Sequence, residues 1–329
     1  MSEGHGMVNL ILEFWGLKVV NAKRIRSAWK LETDQGYKCL KQNNLPPDKS
    51  LFVLNLLAYL ESKGFTKYER LNLNPDGLPS VTVKGKNFIL TDWIEGSELQ
   101  PKNKKQLKAA GNAYAEFHQA SKGCFNRSPK YNYLGQWPKT WDKMLSDFAD
   151  WENAIRKFGA QNSGEQMFLC TVGYFRDQGK IARQALAKSP YSLMVNKAKH
   201  TLPLIHHSCY YQNLIFDKQG NVHLIDFERS RYDLPVHDLA QLINRSARKN
   251  KWSIEHGKAI LDGYGEIVKL APEELLLLKL LLAFPYRYWN HCNKYFTNMH
   301  EGKWLEKRLA KLVKLDSARQ LFLTNCFNA

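Results

Sequence analysis

The chain has 329 residues, 44% of them apolar and 24% charged, which supports a folded core and excludes a disordered chain. Its 48 Lys plus Arg against 31 Asp plus Glu leave a net charge of +17. That excess predicts attraction to something anionic: a nucleotide, nucleic acid, a polyanionic polymer or an acidic protein assembly.

The polar start, Met1–Gly6, precedes Val8, Leu10, Ile11, Phe14 and Trp15, with Glu13 among them. It reads as a short amphipathic helix over 8–15 and not as a secretion signal. Strand-like runs follow at Lys18–Asn21, Trp29–Thr33 and Lys38–Lys41, with Asp34-Gln35-Gly36 turning between the last two. Lys49–Lys63 reads as a helix burying Leu51, Leu54, Leu57, Ala58 and Leu60. Asn74-Pro75-Asp76-Gly77 is a turn, and Val81–Val83 pairs with Phe88–Thr91. Residues 1–93 are thus expected to form an antiparallel sheet with one inserted helix. The polar segment 92–101 serves as a hinge, and residues 94–329 form a second, mostly helical unit. There Leu107, Ala110, Tyr114 and Phe117 recur at helical spacing, as do Trp141, Met144, Phe148 and Trp151. Leu204–Phe216 contains a strand, Asp217–Asn221 a turn and Val222–Asp226 another strand; helices resume from Val236. The densest apolar run, Leu275–Phe284, is ten residues containing Lys279, too short to span a bilayer, and stops at Pro285. Lys303–Lys314 alternates basic and apolar residues, as a surface helix does. The six cysteines show no C-x-x-C spacing, which suits free thiols in a reducing cytosol and neither disulfides nor a zinc site.

Chemistry concentrates in Lys41, His206, Asn213 and Asp226. Lys41 ends a strand; Asn213 begins one strand of a hairpin and Asp226 ends the other, which brings an amide and a carboxylate to one end. Phosphoryl transfer needs such a set: a lysine grips phosphates, while an asparagine and an ionised aspartate offer hard oxygens to magnesium.

These residues resemble the kinase-like fold of protein kinases, aminoglycoside phosphotransferases and choline kinases. That fold carries a loop H-x-D-x-x-x-x-N followed by a metal aspartate at a strand end. Here the loop reads His206-His207-Ser208-Cys209-Tyr210-Tyr211-Gln212-Asn213, and the strand ends Ile225-Asp226-Phe227-Glu228. Tyr232-Asp233-Leu234-Pro235-Val236-His237-Asp238 is similar to the anchoring segment, in which an aspartate like Asp238 bonds the loop backbone. Leu90-Thr91-Asp92-Trp93-Ile94-Glu95-Gly96, Phe117-His118-Gln119-Ala120-Ser121 and Tyr210-Tyr211-Gln212-Asn213 are similar to the CotS family of spore coat proteins. The resemblance spans residues 8–295. It implies an α+β, bilobal fold and ATP and Mg²⁺ as cofactors. Lys41, Asp92 and Ile94 would lie at the nucleotide, Asn213 and Asp226 at the metal, with His206 as a structural brace. It also implies association with a spore coat after cytoplasmic synthesis, with other coat proteins or an anionic polymer as partners.

One departure weighs most. Ser208 occupies the position of the catalytic aspartate, and a serine hydroxyl has no useful basicity; losing a positioned base costs about 10²- to 10⁴-fold. There is no glycine-rich phosphate loop, and the helix Ser50–Tyr59 lacks a glutamate for Lys41, leaving Glu61 as the candidate partner. An impaired kinase, a slow but active phosphotransferase and a basic assembly module all remain open. So do plainer readings: Asn213 as a turn cap, the basic run 23–30 as a solvated strand face, the Tyr286, Tyr288, Trp289 and Tyr295 cluster as core. No nucleic-acid fold motif is present, and Cys209 has no base in register to make it a nucleophile.

Overall fold

The computed structural model describes residues 3–124, 129–298 and 300–327; Met1 and Ser2 of the polar start lie outside them. Helix α1 (Glu3–Leu12) leads into β1 (Val19–Ile25), β2 (Ala28–Thr33) and β3 (Gly36–Asn43). The β1–β2 hairpin is longer than the sequence suggests. Ile25 pairs with Ala28 across Arg26-Ser27, with Arg26 in the left-handed region at φ 55°, so the basic run 23–30 forms both arms of one hairpin. Helix α2 (Pro47–Ser62) follows, then β4 (Leu71–Asn72), β5 (Val81–Val83) and β6 (Lys86–Asp92). The antiparallel order is β1-β2-β3-β6-β4, with β5 on β6. One sheet face, including Ala22, Leu31, Leu40 and Leu90, is buried against Val8, Ile11, Leu12 and Trp15. Because strand side chains alternate, Lys41 therefore points to the opposite face, toward the rest of the chain.

Helix α2 packs away from that first core. Phe52, Leu56, Leu57 and Leu60 join the main core of the helical lobe, whereas Leu51 is 55% exposed and Ala58 is exposed. Of the expected stripe Leu57 and Leu60 are buried and Leu51 and Ala58 are not, because leucines encircle this helix and the periodicity does not single out one face.

The chain crosses lobes through 93–96 into β7 (Ser97–Glu98), which pairs with β9 (Leu214–Phe216). A Cβ on Gly96 would stand 2.0 Å from the Phe216 carbonyl oxygen, so the crossing needs glycine. Between them run α3 (Lys104–Ala120), α4 (Trp137–Phe158), α5 (Ser163–Lys188), α6 (Tyr191–Thr201) and β8 (Leu204–Ile205). After β9 come β10 (Val222–Leu224), β11 (Arg231–Tyr232), α7 (Val236–Lys249), α8 (Ile254–Gly265), α9 (Pro272–Ala283), α10 (Tyr286–Asn298) and α11 (Gly302–Cys326). Helices α3 and α8 touch backbone to backbone: a Cβ on Gly111 or Gly263 would lie 2.1 or 1.8 Å from a carbonyl oxygen of the other helix. The basic segment 303–314 lies in α11, whose Leu305 and Leu309 are fully buried. No helix among the described residues is long and apolar enough to cross a membrane. The six cysteines are free.

Candidate active site

Lys41, Asn213 and Asp226 meet where the sheet faces the β9–β10 hairpin. The hairpin register places Leu214 opposite Leu224, and the Ile225 amide donates to the Asn213 carbonyl at 3.0 Å. Asn213 and Asp226 thereby flank one end of the hairpin. Asn213 Nδ2 lies 3.3 Å from Asp226 Oδ2 and 2.9 Å from Ser208 Oγ, which leaves its carbonyl oxygen to face elsewhere. Asp226 sits in the left-handed region at φ 69°.

The Lys41 ammonium stands 3.6 Å from Glu69, 3.3 Å from Glu228 and 3.8 Å from Asp226. Burial works against its charge, but these three carboxylates raise its pKa above the ordinary lysine value. The partner is Glu69 and not Glu61, which pairs with Arg70 instead. Glu69 is carried by a segment without helical or strand periodicity. Tyr68 bridges Leu224 in parallel, and the Leu224 and Glu69 amides complete that contact at 3.0 and 3.3 Å. Glu69 then accepts the Asp226 amide at 2.6 Å. Helical periodicity does not reach it, because the distant Tyr68–Leu224 bridge is what places it.

Ser208 is 1% exposed. Its hydroxyl lies between Asn213 Nδ2 and Asp226 Oδ2, the latter 3.4 Å away. The loop that holds it is fixed from below by Asp238, the third residue of α7, which accepts the amides of His206 and His207 at 2.7 and 2.8 Å. Asp238 also receives His118 Nε2 at 3.1 Å, while His118 Nδ1 meets the Tyr264 hydroxyl at 3.0 Å. Burial opposes ionisation of Asp238, but the His118 hydrogen bond and the loop amides pull its pKa below the carboxylate range.

His206 contributes its backbone to this brace. Its ring is fully buried against Tyr114, Phe117 and Phe227, and burial lowers its pKa. His207 has φ 58° and its ring packs 5.0 Å from that of His237. Burial and Arg231 push its pKa well down, so it makes a poor substitute base. Cys209 is wholly buried and its thiol pKa is pushed up by that burial, which removes it as a nucleophile. At the lobe junction the Asp92 carboxylate accepts Lys38 at 2.6 Å and Asn72 at 3.0 Å, and half-buried Ile94 follows. A lysine missed in the sequence, Lys49, is buried in α2. It donates to the Ser230 carbonyl under the Phe52 and Tyr131 rings, and burial lowers its pKa to about 8.

A family model described as "Spore coat putative kinase YutH" matches residues 9–326. The chain belongs to that family. It is 26% identical over 309 residues to spore coat protein S of Bacillus subtilis (strain 168), covering 91% of this chain and 86% of that one. Its fold is that of the aminoglycoside phosphotransferases. An aminoglycoside phosphotransferase from Alicyclobacillus acidocaldarius superposes with a TM-score of 0.85 at 16% identity, over 96% of this chain and 94% of its own. The AMP-bound spectinomycin phosphotransferase APH(9)-Ia superposes at 0.62 and 14% identity, over 98% of each chain.

Proposed function

We propose that this YutH-family chain is a spore-coat-associated protein that keeps a nucleotide and metal cleft but transfers phosphate poorly. The observation that carries the reading is Ser208: at the position of the expected base stands a buried hydroxyl tied to Asn213 and Asp226. The Asp226 carboxylate is a hard oxygen donor that suits Mg²⁺, and Asn213, whose amide nitrogen faces Asp226 at 3.3 Å, would turn its side-chain oxygen to the same cation by an amide flip. When bound, such a cation neutralises charge developing on transferring phosphoryl oxygens.

The protein's own groups prepare the rest. Lys41, kept charged by Glu69, Glu228 and Asp226, offers a fixed cation to nucleotide phosphates. Since the Asp92 carboxylate is engaged by Lys38 and Asn72, Asp92 and Ile94 would serve a base through their backbone. Association with the coat is supported by the likeness to spore coat protein S.

A second reading, an active small-molecule phosphotransferase, is favoured by the intact Lys41–Glu69 pair, because positioning and charge stabilisation supply most of this chemistry. A nucleotide melting assay tests the cleft. ATP with Mg²⁺ raises the Tm, and Asp226→Asn abolishes the shift; no shift with any nucleotide refutes the cleft and leaves a structural coat component. Turnover of the unmodified protein at ordinary kinase rates, of order 1–100 s⁻¹, refutes the impairment and selects the second reading.

A further inference from the structure

Three helices of the second lobe bring cations close enough to one another, beside the loop that holds Ser208, for their charges to interact. Helix α7 supplies Arg245 and Arg248, three residues apart; α10 supplies Arg287, His291 and Lys294, four and three apart; α11 adds Arg308. Those spacings put each set on a single helix face. Asn244, Arg248, Arg287, Tyr288 and Leu312 line one small cavity of about 30 Å³, together with Asp316 and Arg319, which pair with each other at 2.8 Å, so the three helices meet there.

Elsewhere in this lobe most described guanidinium groups are paired: Arg156 and Arg176 with Glu152, Arg183 with Asp142, Arg231 with Asp233, Arg319 with Asp316; Arg229 is the exception among the described residues. None of the cluster's five cations, Arg245, Arg248, Arg287, Lys294 and Arg308, has a carboxylate partner among the described residues, and the buried His291 ring among them is uncharged. Arg248 Nε, Arg287 Nε and His291 Nδ1 are buried without a hydrogen-bond partner, and His291 is only 4% exposed. Gathered like charges with buried, unpartnered donors favour an anion among them.

The cluster reaches the loop through Tyr210. The Arg245 guanidinium lies 3.3 Å from the Tyr210 ring centre, and the Tyr210 amide donates to the Ser208 carbonyl at 2.7 Å. Burial opposes ionisation of the Tyr210 phenol, yet Arg245, Arg229 and Lys294 bring its pKa down.

We propose that this cluster is an anion subsite that seats the phosphate group of a hydroxylated phosphate ester, holding it as acceptor beside the catalytic loop. A lone carboxylate balances one of the five cations, whereas phosphate balances up to two and presents oxygens that match guanidinium forks. The word acceptor rests on the phosphotransfer reading; the anion subsite does not.

The test is a thermal shift and calorimetric titration of the full chain, without nucleotide, at constant ionic strength set with chloride. The probes are glycerol 3-phosphate and inorganic phosphate. The expected result is a rise in Tm with both, the ester binding at least as tightly. The affinity falls at least tenfold in Arg248→Gln/Arg287→Gln and a few-fold in Lys294→Gln, an exposed position that does not threaten folding. Asp226→Asn leaves the shift intact. The proposal is overturned if neither probe shifts the Tm or if both variants bind as the parent does. It is also overturned if Asp226→Asn abolishes the shift, which would place the anion in the nucleotide cleft. If inorganic phosphate binds and the ester does not, the subsite stands as an anion site and the acceptor role falls. Loss of the ATP shift alone would strike only the nucleotide cleft.

Discussion

Glu69 accepts the backbone amide of Asp226 at 2.6 Å while its carboxylate stands 3.6 Å from Lys41. One side chain thus sets both the turn at Asp226 and the position of the Lys41 ammonium. Glu69→Gln should keep an acceptor for the Asp226 amide and preserve the Tm within a few degrees, but weaken nucleotide binding about tenfold by freeing Lys41. Glu69→Ala should in addition cost about 1–3 kcal/mol, the penalty for a buried donor left unpaired. Urea denaturation and nucleotide titration separate the two. Equal nucleotide affinity in Glu69→Gln and the parent would show that Lys41 is aimed by Glu228 and Asp226 alone.

Asp238 presents the same logic one layer deeper. Its two oxygens receive the His206 and His207 amides and the His118 imidazole, all in a fully buried setting. Asn offers one acceptor oxygen, so Asp238→Asn strands at least one buried donor and removes the charge that His118 and the loop amides stabilise. A loss of about 2–4 kcal/mol is expected, read by urea unfolding. A loss below about 1 kcal/mol would mean that the loop is held by other contacts.

Ser208→Asp tests whether the chemistry lacks only its base. The new carboxylate would enter beside Asp226 and Asn213, so some stability is lost to like-charge repulsion unless a cation is present. ATP turnover is expected to rise about 10²-fold or more, measured by phosphate release with and without Mg²⁺ and with glycerol 3-phosphate as acceptor. Unchanged turnover despite retained nucleotide binding would place the defect beyond residue 208.

The α3–α8 crossing yields a prediction independent of the site. The Gly263 Cβ position lies 1.8 Å from the Lys108 carbonyl, closer than packed atoms approach, so Gly263→Ala must push the helices apart. The same helices carry His118 and Tyr264, which hold Asp238. A destabilisation of about 3 kcal/mol or more is expected, since overpacking against rigid backbone costs at the upper end of the usual range. Gly265→Ala, in the same helix with open space at its Cβ, is the neutral control in thermal denaturation.

Much of this site was legible because its members sit at fixed offsets within short segments. The loop from His206 to Asn213 and Asp238 at the start of α7 are read from their resemblance to a kinase-like family, and the pairing of Asn213 with Asp226 from the hairpin between them. Glu69 was not legible. It reaches Asp226 only because Tyr68 pairs with Leu224 in a distant hairpin, and no local pattern encodes a bridge between remote segments. The same limit explains α2: leucines on every face left its phase open until Phe52 and Leu56 met the helical lobe. The arginine cluster escaped too, since Arg245, Arg287 and Arg308 belong to separate helices whose meeting is a matter of packing.

The buried histidines set an acid limit on stability. Burial, with Arg231 beside His237 and Arg287 and Arg308 beside His291, lowers both pKa values to about 3. In the unfolded chain each imidazole takes a proton near pH 6.5, whereas the folded chain refuses it until about pH 3. The unfolded state therefore binds more protons throughout this window, so stability is whole above about pH 6.5 and drains as the pH falls toward 3. Each such histidine contributes a slope of up to about 1.4 kcal/mol per pH unit. Replacing His291 with Asn should remove one proton from that slope, so the urea-derived stability difference between parent and variant should change in the variant's favour as the pH drops from 6.5 to 4.5. Comparing the two proteins cancels the other titrating groups, His237 included. Parallel pH profiles would show that His291 gains its proton as readily in the fold as out of it, and that the cations of α7, α10 and α11 do not crowd it.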